Sequence, residues 1–319
     1  MNADPIISPV PESSISIVIN LKNDSSLIYI MDCEIILIGN ELLIGKIRDT
    51  NGQWIIEQLL HFGIKISRII TIPDDVEIIK STIQESIRRK PEYIFTSGGL
   101  GPTYDDMTLK GVSLGLNPEC SLEYNDEAFD MIQYIFKKRY PKRFSKITNI
   151  DQYLIKNYPH VKKMAEIPKG SKPLLNRDGA APGVYIDSRF TNGRSKIICM
   201  PGVPSELKAI FSDHIIPELK EKNYAGNGEF HECSFIFHNV SESKLGEKIY
   251  EIKDKYPEIW IKTHPHKRII DSHLKYAVEL HLTSFSNQEN ITKEMNYLYQ
   301  ILHDSVEEMG GSFIIEKKI

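Results

Sequence analysis

The stretch Tyr93-Ile94-Phe95-Thr96-Ser97-Gly98-Gly99-Leu100-Gly101-Pro102-Thr103-Tyr104-Asp105-Asp106-Met107-Thr108 decides the fold and points to the chemistry. Tyr93–Ser97 reads as a strand, and the run stops on glycine. Three glycines in four positions (Gly98, Gly99 and Gly101) remove Cβ atoms, so backbone N–H groups can curl into a nest around a phosphate. Pro102 stiffens the exit. Asp105 and Asp106 can then hold a hard divalent cation beside that phosphate, which is how phosphoryl chemistry neutralises oxygen charge. The plain structural alternative is a tight turn followed by an acidic helix cap. The attached Pro-Thr-x-Asp-Asp makes the segment more specific than Gly-Gly-x-Gly alone.

Upstream, strand and helix patterns alternate from Glu34 onward. Glu34–Ile38 is a short β-branched run suited to a strand buried on both faces. Thr50-Asn51-Gly52-Gln53 has the spacing of a capping box, which predicts a helix at about 51–62 with Gly63 closing it. Ile64–Ile72 predicts a second strand. Pro73-Asp74-Asp75 opens a helix with Val76, Ile79, Ile83 and Ile87 on one face, and Pro91 ends it. Strand, helix, strand, helix, strand predicts right-handed βαβ units in a mostly parallel sheet of a three-layer α/β fold. Ligands in such sheets bind beyond the carboxyl ends of the strands, where the loops after Ile38 and Ser97 fall.

Three other segments belong with that end of the sheet. Gly39-Asn40-Glu41-Leu42-Leu43-x-Gly45 leaves the first strand, and Asp49-Thr50-Asn51 follows, which brings Glu41, Asp49 and Asn51 near the nest. Asn176-x-x-Gly179-Ala-Ala-Pro182-Gly183 leads into the strand Val184–Ile186. Met200-Pro201-Gly202-Val203-Pro204-Ser205-Glu206 leaves the strand Lys196–Met200, with Ser205 or Glu206 at the start of a helix that runs through Ile210.

Composition bounds these readings. The chain has 319 residues, 41% hydrophobic and 26% charged, the profile of an ordinary globular protein with room for about two domains. Its apolar runs are strand-sized and far short of the roughly 20 residues of a membrane helix. Neither a membrane span nor a secretory signal is predicted, which points to the cytoplasm. Cys33, Cys120, Cys199 and Cys233 form no C-x-x-C pair and read as buried thiols. Net charge is −4, which gives no general reason to bind nucleic acid or anionic membrane. The cationic run Lys137, Lys138, Arg139, Lys142, Arg143 and Lys146 reads first as a solvated helix end. Residues 1–30 read as an N-terminal extension, 31–222 as the α/β domain and 223–319 as a small α+β domain, with a glycine-rich linker at 223–229.

Together the four loop segments resemble the CinA (competence-damage-inducible) family, in its N-terminal domain of the molybdopterin-binding MoaB/Mog type, over about residues 33–220. Lys162-Lys163-Met164-Ala165 before Pro168-x-Gly170 is similar to that family's basic helix end, which makes Lys163 a candidate phosphate contact. Asn40 departs from the Asp that many relatives carry. The stretch 137–162 is longer than usual.

The resemblance implies divalent-metal-dependent hydrolysis (Mg, Mn or Co) of the pyrophosphate in ADP-ribose, FAD or a related dinucleotide. The alternative is molybdopterin binding in cofactor biosynthesis without hydrolysis. In the first case Asp105, Asp106 and Glu41 are catalytic, with Asp105 and Asp106 on the metal. Gly98, Gly99, Gly101, Thr103, Asn51, Lys163, Asn176, Gly183, Gly202, Ser205 and Glu206 hold phosphate or nucleotide. The resemblance also implies a homodimer.

The segment after 222 resembles the small KH-like middle domain of CinA, with Glu242-Ser243 at a helix entry, and the family's deamidase domain is not expected in this chain. Its pattern is strand 233–238, helix 241–253, strand 276–284, helix 291–309 and strand 312–315. It is acidic and lacks the Gly-x-x-Gly clamp of RNA-binding KH domains, so no nucleic-acid role is expected. His264-Pro265-His266 reads as loop.

Overall fold

A computed structural model of the chain describes residues 32–316 apart from 117–120, 192, 194, 222–228, 271–272, 287 and 289. The expectations for residues 1–30, for Cys120 and for the linker through residue 228 lie outside the described residues. The first elements follow the periodicity: β1 (Asp32–Ile38), α1 (Asn40–Leu43), α2 (Asn51–Leu60), β2 (Lys65–Ile72), α3 (Val76–Arg89) and β3 (Tyr93–Ser97). The one-turn helix α1 is the addition. A helical stretch comes next: α4 (Thr108–Leu116), β4 (Leu122–Tyr124), α5 (Asp126–Arg139), α6 (Pro141–Phe144), α7 (Ile150–Asn157), α8 (Val161–Met164) and β5 (Glu166–Pro168). The chain then returns through β6 (Lys172–Leu174), β7 (Gly183–Ile186), β8 (Lys196–Met200), α9 (Pro204–Ile210) and α10 (Ile216–Glu221), a single π turn linking the last two.

These strands form one six-stranded sheet in the order β2-β1-β3-β8-β7-β6. β2, β1, β3 and β8 run parallel, and β7 and β6 add an antiparallel hairpin. Because β1 is internal, alternate side chains point to opposite faces and all must be apolar or paired. Ile36 and Ile38 pack with Ile79, Ile83, Val112 and Phe129 on one face. Ile35 and Leu37 pack with Ile55, Leu59, Leu207 and Phe211 on the other. Each buried Ile or Leu contributes about 1.5–3 kcal/mol relative to exposure. The expected three-layer α/β arrangement is therefore present.

Glu34 is the charged member of β1, and it is 1% exposed. Arg89 clasps it with Nε at 2.6 Å and Nη2 at 2.8 Å, while Ser86 Oγ donates to it at 2.7 Å. Cys33, Cys199 and Cys233 are buried thiols, as their scatter in sequence suggests. Burial pushes the Cys199 thiol up to about 12 and the Cys233 thiol up to about 11, so neither is a reactive thiolate.

The capping box at Thr50 does not form. Thr50 occupies the N-cap of α2 but makes no side-chain cap bond, and Gln53 donates instead to Glu57. Asp49 Oδ1 accepts from the amides of Asn51 and Gly52, a carboxylate that serves the helix start better than a hydroxyl does.

After residue 228 come β9 (Glu229–His238), α11 (Glu242–Ile252), β10 (Trp260–Ile270), β11 (His273–Ser286), α12 (Ile291–Glu308) and β12 (Ser312–Glu316). They build an antiparallel sheet in the order β10-β11-β9-β12. Phe235, Phe237, Leu280 and Leu282 pack against Leu245, Met295, Leu298 and Leu302. The loop reading of His264-Pro265-His266 is corrected here, since all three lie in β10. Pro265 is tolerated because β10 is an edge strand, where a missing N–H faces no partner. No helix among the described residues is long and apolar enough to cross a membrane.

Candidate functional site

The loops after β1, β3 and β8 meet at the carboxyl end of the sheet, as the topology requires. They surround a cavity of about 1020 Å³, closed on the far side by the end of α5 and the segment 157–164. Gly98 leaves β3 with φ +111° and Gly99 follows with φ +66°. A Cβ on Gly98 would lie 2.0 Å from the Ile38 carbonyl oxygen, so the close passage of two strand ends requires glycine there. The nest is narrower than its sequence suggests, because the Gly98 amide donates to the Met200 carbonyl at 2.9 Å. The amides of Gly99 and Gly101 make no such bond among the described residues and are available to an anion.

Neither aspartate caps the following helix. Thr108 closes that turn itself, its Oγ1 donating to the Gly98 carbonyl at 2.8 Å and its amide to that of Gly99 at 3.2 Å. Asp105 and Asp106 turn back on Thr103. Asp106 Oδ2 accepts from the Thr103 amide at 2.7 Å and lies 2.5 Å from its hydroxyl, and Asp105 Oδ1 meets the same hydroxyl. One hydroxyl proton cannot serve two carboxylates, so this all-oxygen cluster retains an uncompensated negative charge. That is the donor chemistry of a hard divalent cation, and the residues present fit one. Lys163 Nζ donates to the Thr103 carbonyl, bringing a cation to the same loop. The Thr103 hydroxyl holds the Asp105 carboxyl below its ordinary range, with Lys163 contributing.

Two residues missed by the sequence reading join this picture. Asp74, at the exit of β2, accepts from the Asn40 amide at 2.8 Å and lines the cavity. Burial holds its carboxyl above the ordinary range, and Glu41, Asp105 and Asp106 push in the same direction. The parallel pairing of β1 with β2 was the available signal, because it sets the two strand exits side by side. Arg139 comes from the cationic run taken as solvated. All six residues of that run are exposed, as expected, and Arg139 also lines the cavity, its Nη2 donating to the Asp178 carbonyl at 2.8 Å.

Of the sequence-derived site residues, Glu41, Asn51, Gly98, Gly99, Gly101, Thr103, Asp105, Asp106, Gly202 and Glu206 line the cavity. Lys163 acts through Thr103. Asn176 stands behind Glu206: it is 1% exposed, its Nδ2 donates to Glu206 Oε2 at 2.7 Å and to the Ala181 carbonyl at 2.9 Å, and its Oδ1 accepts from the amides of Asp178 and Gly179. Gly183 lies within β7, where its hydrogen leaves room for Ile210. Ser205 is exposed at the start of α9 and does not line the cavity. Among the described residues the carboxylates of Glu41, Asp74, Asp105 and Asp106 do not close on one point as a three-ligand cage. A cation there would rely on Asp105 and Asp106 together with ligand phosphate, as magnesium commonly does.

Several known proteins resemble this chain. Residues 34–221 match the model of a probable molybdopterin binding domain. A protein of Sulfolobus acidocaldarius is 35% identical over 280 residues, covering 87% of this chain and 96% of its own length. A protein of Saccharolobus islandicus is also 35% identical, with 87% and 95% coverage. Among solved structures, the protein CinA of unknown function from Thermoplasma acidophilum is 29% identical, covers 59% of this chain and 98% of its own, and has a TM-score of 0.47. With more than half of its length under that one model, the chain belongs to the family of the probable molybdopterin binding domain.

Proposed function

We propose that the chain is a divalent-metal-dependent hydrolase of the pyrophosphate bond in a dinucleotide of the ADP-ribose or FAD type. The observation that carries this reading is the convergence of Asp105 and Asp106 on the Thr103 hydroxyl, beside the available amides of Gly99 and Gly101. The amides cradle one phosphate and cost no reorganisation, since strand and turn already fix them. Lys163 and Thr103 hold the loop to α8. Glu41 and Asp74 add negative charge on the β1–β2 side and so favour a cation at the same place. A bound Mg²⁺, Mn²⁺ or Co²⁺ would neutralise phosphoryl oxygen charge and lower the pKa of an attacking water.

The family model favours a second reading, a pterin-cofactor binding protein that uses the same loops without hydrolysis. One experiment separates the two. ADP-ribose, FAD, NAD and NADH are incubated with each cation and AMP release is followed, alongside Asp105→Asn and Asp106→Asn. The hydrolase reading expects cation-dependent release that falls about a hundredfold or more in at least one variant. Full hydrolysis in both variants would overturn the site, and no hydrolysis of any substrate would leave pterin binding as the function.

A further inference from the structure

The cavity has a second polar end. Glu206 is the third residue of α9, and its Oε2 is fixed by Asn176, whose other bonds are all made inside its own turn. Gly179 makes room for this carboxylate, since a Cβ there would lie 2.0 Å from Glu206 Cδ. Arg139 reaches the same end, held through Asp178, with the remaining N–H groups of its guanidinium bonded to nothing among the described residues. The two ends are electrically distinct. The charges that act on Glu206 are Arg139 and Asp178, whereas those that act on Asp74 are Glu41, Asp105 and Asp106. Phe136, Tyr158, Met164 and Val203 supply apolar lining to the same cavity. The loop into α9 also abuts the nest, a Cβ on Gly202 lying 3.4 Å from Gly98 Cα.

A fixed carboxylate accepts, a fixed guanidinium donates, and a ligand group that faces both must donate and accept at adjacent positions. Vicinal hydroxyls do both, and an acidic residue at the mouth of an α/β sheet is a general solution for ribose. We propose that Glu206 and Arg139 form a ribose-reading subsite, in which the 2′- and 3′-hydroxyls donate to the Glu206 carboxylate while Arg139 donates to a hydroxyl oxygen. This rests on the reading that phosphate sits in the glycine nest. It makes the preferred ligand a ribonucleotide and disfavours ligands without a cis-diol.

The test measures binding of AMP, 2′-deoxy-AMP and 3′-deoxy-AMP to the full chain by calorimetry, for wild type, Glu206→Gln and Arg139→Met. These probes contain no pyrophosphate, so the result is independent of hydrolysis. Wild type is expected to lose about ten- to hundredfold in affinity when either hydroxyl is removed, as for a hydrogen bond to a charged group. In Glu206→Gln that discrimination should shrink several-fold or more, with Arg139→Met showing a smaller loss and an unchanged melting temperature. Arg139 is exposed, so its variant keeps the proposal testable if Glu206→Gln folds poorly. Equal affinity of wild type for all three nucleotides, no AMP binding at all, or variants that weaken all three ligands equally would each overturn the subsite. Retained discrimination without any dinucleotide hydrolysis would sink the hydrolase reading and leave this one standing.

Discussion

The side-chain amide of Asn51 donates to the Gly202 carbonyl at 2.8 Å, joining positions 151 residues apart at the floor of the cavity. The same Nδ2 donates to Ser97 Oγ at 2.9 Å, so one buried amide ties the start of α2 to the exits of β3 and β8. Through its Nδ2, Asn51 is thus a strut for the loops around the cavity that it lines. Asn51→Ala should cost about 1–3 kcal/mol of stability, because it leaves buried acceptors without donors. It should also weaken AMP binding without abolishing it. Urea denaturation and calorimetry on the same samples check both.

Two glycines of the nest should respond differently to alanine. Gly98→Ala forces a Cβ onto a backbone carbonyl at positive φ and should cost about 3 kcal/mol or more, enough to lower expression. At Gly101 the obstacle is a carboxylate, Asp106 Oδ2 at 2.6 Å, which can swing away. Gly101→Ala should fold within about 1 kcal/mol of wild type yet bind Mn²⁺ more weakly. Thermal melts with and without Mn²⁺ distinguish the two effects.

Asp74 makes stability depend on pH in a definite direction. Its carboxyl is held above the ordinary range, so the native state keeps a proton that the unfolded chain has already released. Between those two values the unfolded state binds fewer protons, and stability falls as pH rises through the interval. In EDTA, Asp74→Asn should gain on wild type from about pH 4 toward pH 7 and show a flat difference below it. A difference that shrinks with rising pH would refute the assignment.

The Glu34–Arg89 pair predicts a non-additive pair of substitutions. Removing Arg89 leaves a carboxylate that is 1% exposed without its main partner, so Arg89→Met should cost about 3 kcal/mol or somewhat more. Adding Glu34→Met should restore most of that loss, since two apolar side chains need no compensation. Denaturant midpoints of the single and double variants give the coupling directly.

Separate cores imply separable folding. The clusters on the two faces of the six-stranded sheet draw on residues 33–219, and the third cluster draws on 233–313. Fragments 31–222 and 223–319 should each give a cooperative thermal transition when expressed alone. A fragment 31–222 that melts without cooperativity would show that the division is wrong.

The strands and the two longer helices of residues 32–100 were legible in the sequence, because β-branched runs and helical spacing are local patterns that burial on both faces of a parallel sheet selects directly, whereas the one-turn α1 was not. The sequence also determined the glycine turn, since a Cβ would run into the Ile38 carbonyl at Gly98 and into the Thr108 side chain at Gly99. Local competition already escaped it at Thr50, where spacing favoured a hydroxyl cap and Asp49 took the role with a stronger acceptor. What the tertiary structure alone decided is which distant groups share the cavity. Asp74 joins the aspartates because β2 pairs with β1, and Arg139 shares the cavity with Glu206 because the end of α5 reaches the 176–179 turn, placements that leave no periodicity in the chain. The capture of the Gly98 amide by Met200 belongs to the same class, since a strand neighbour 102 positions away competes for a donor that the motif alone assigns to phosphate.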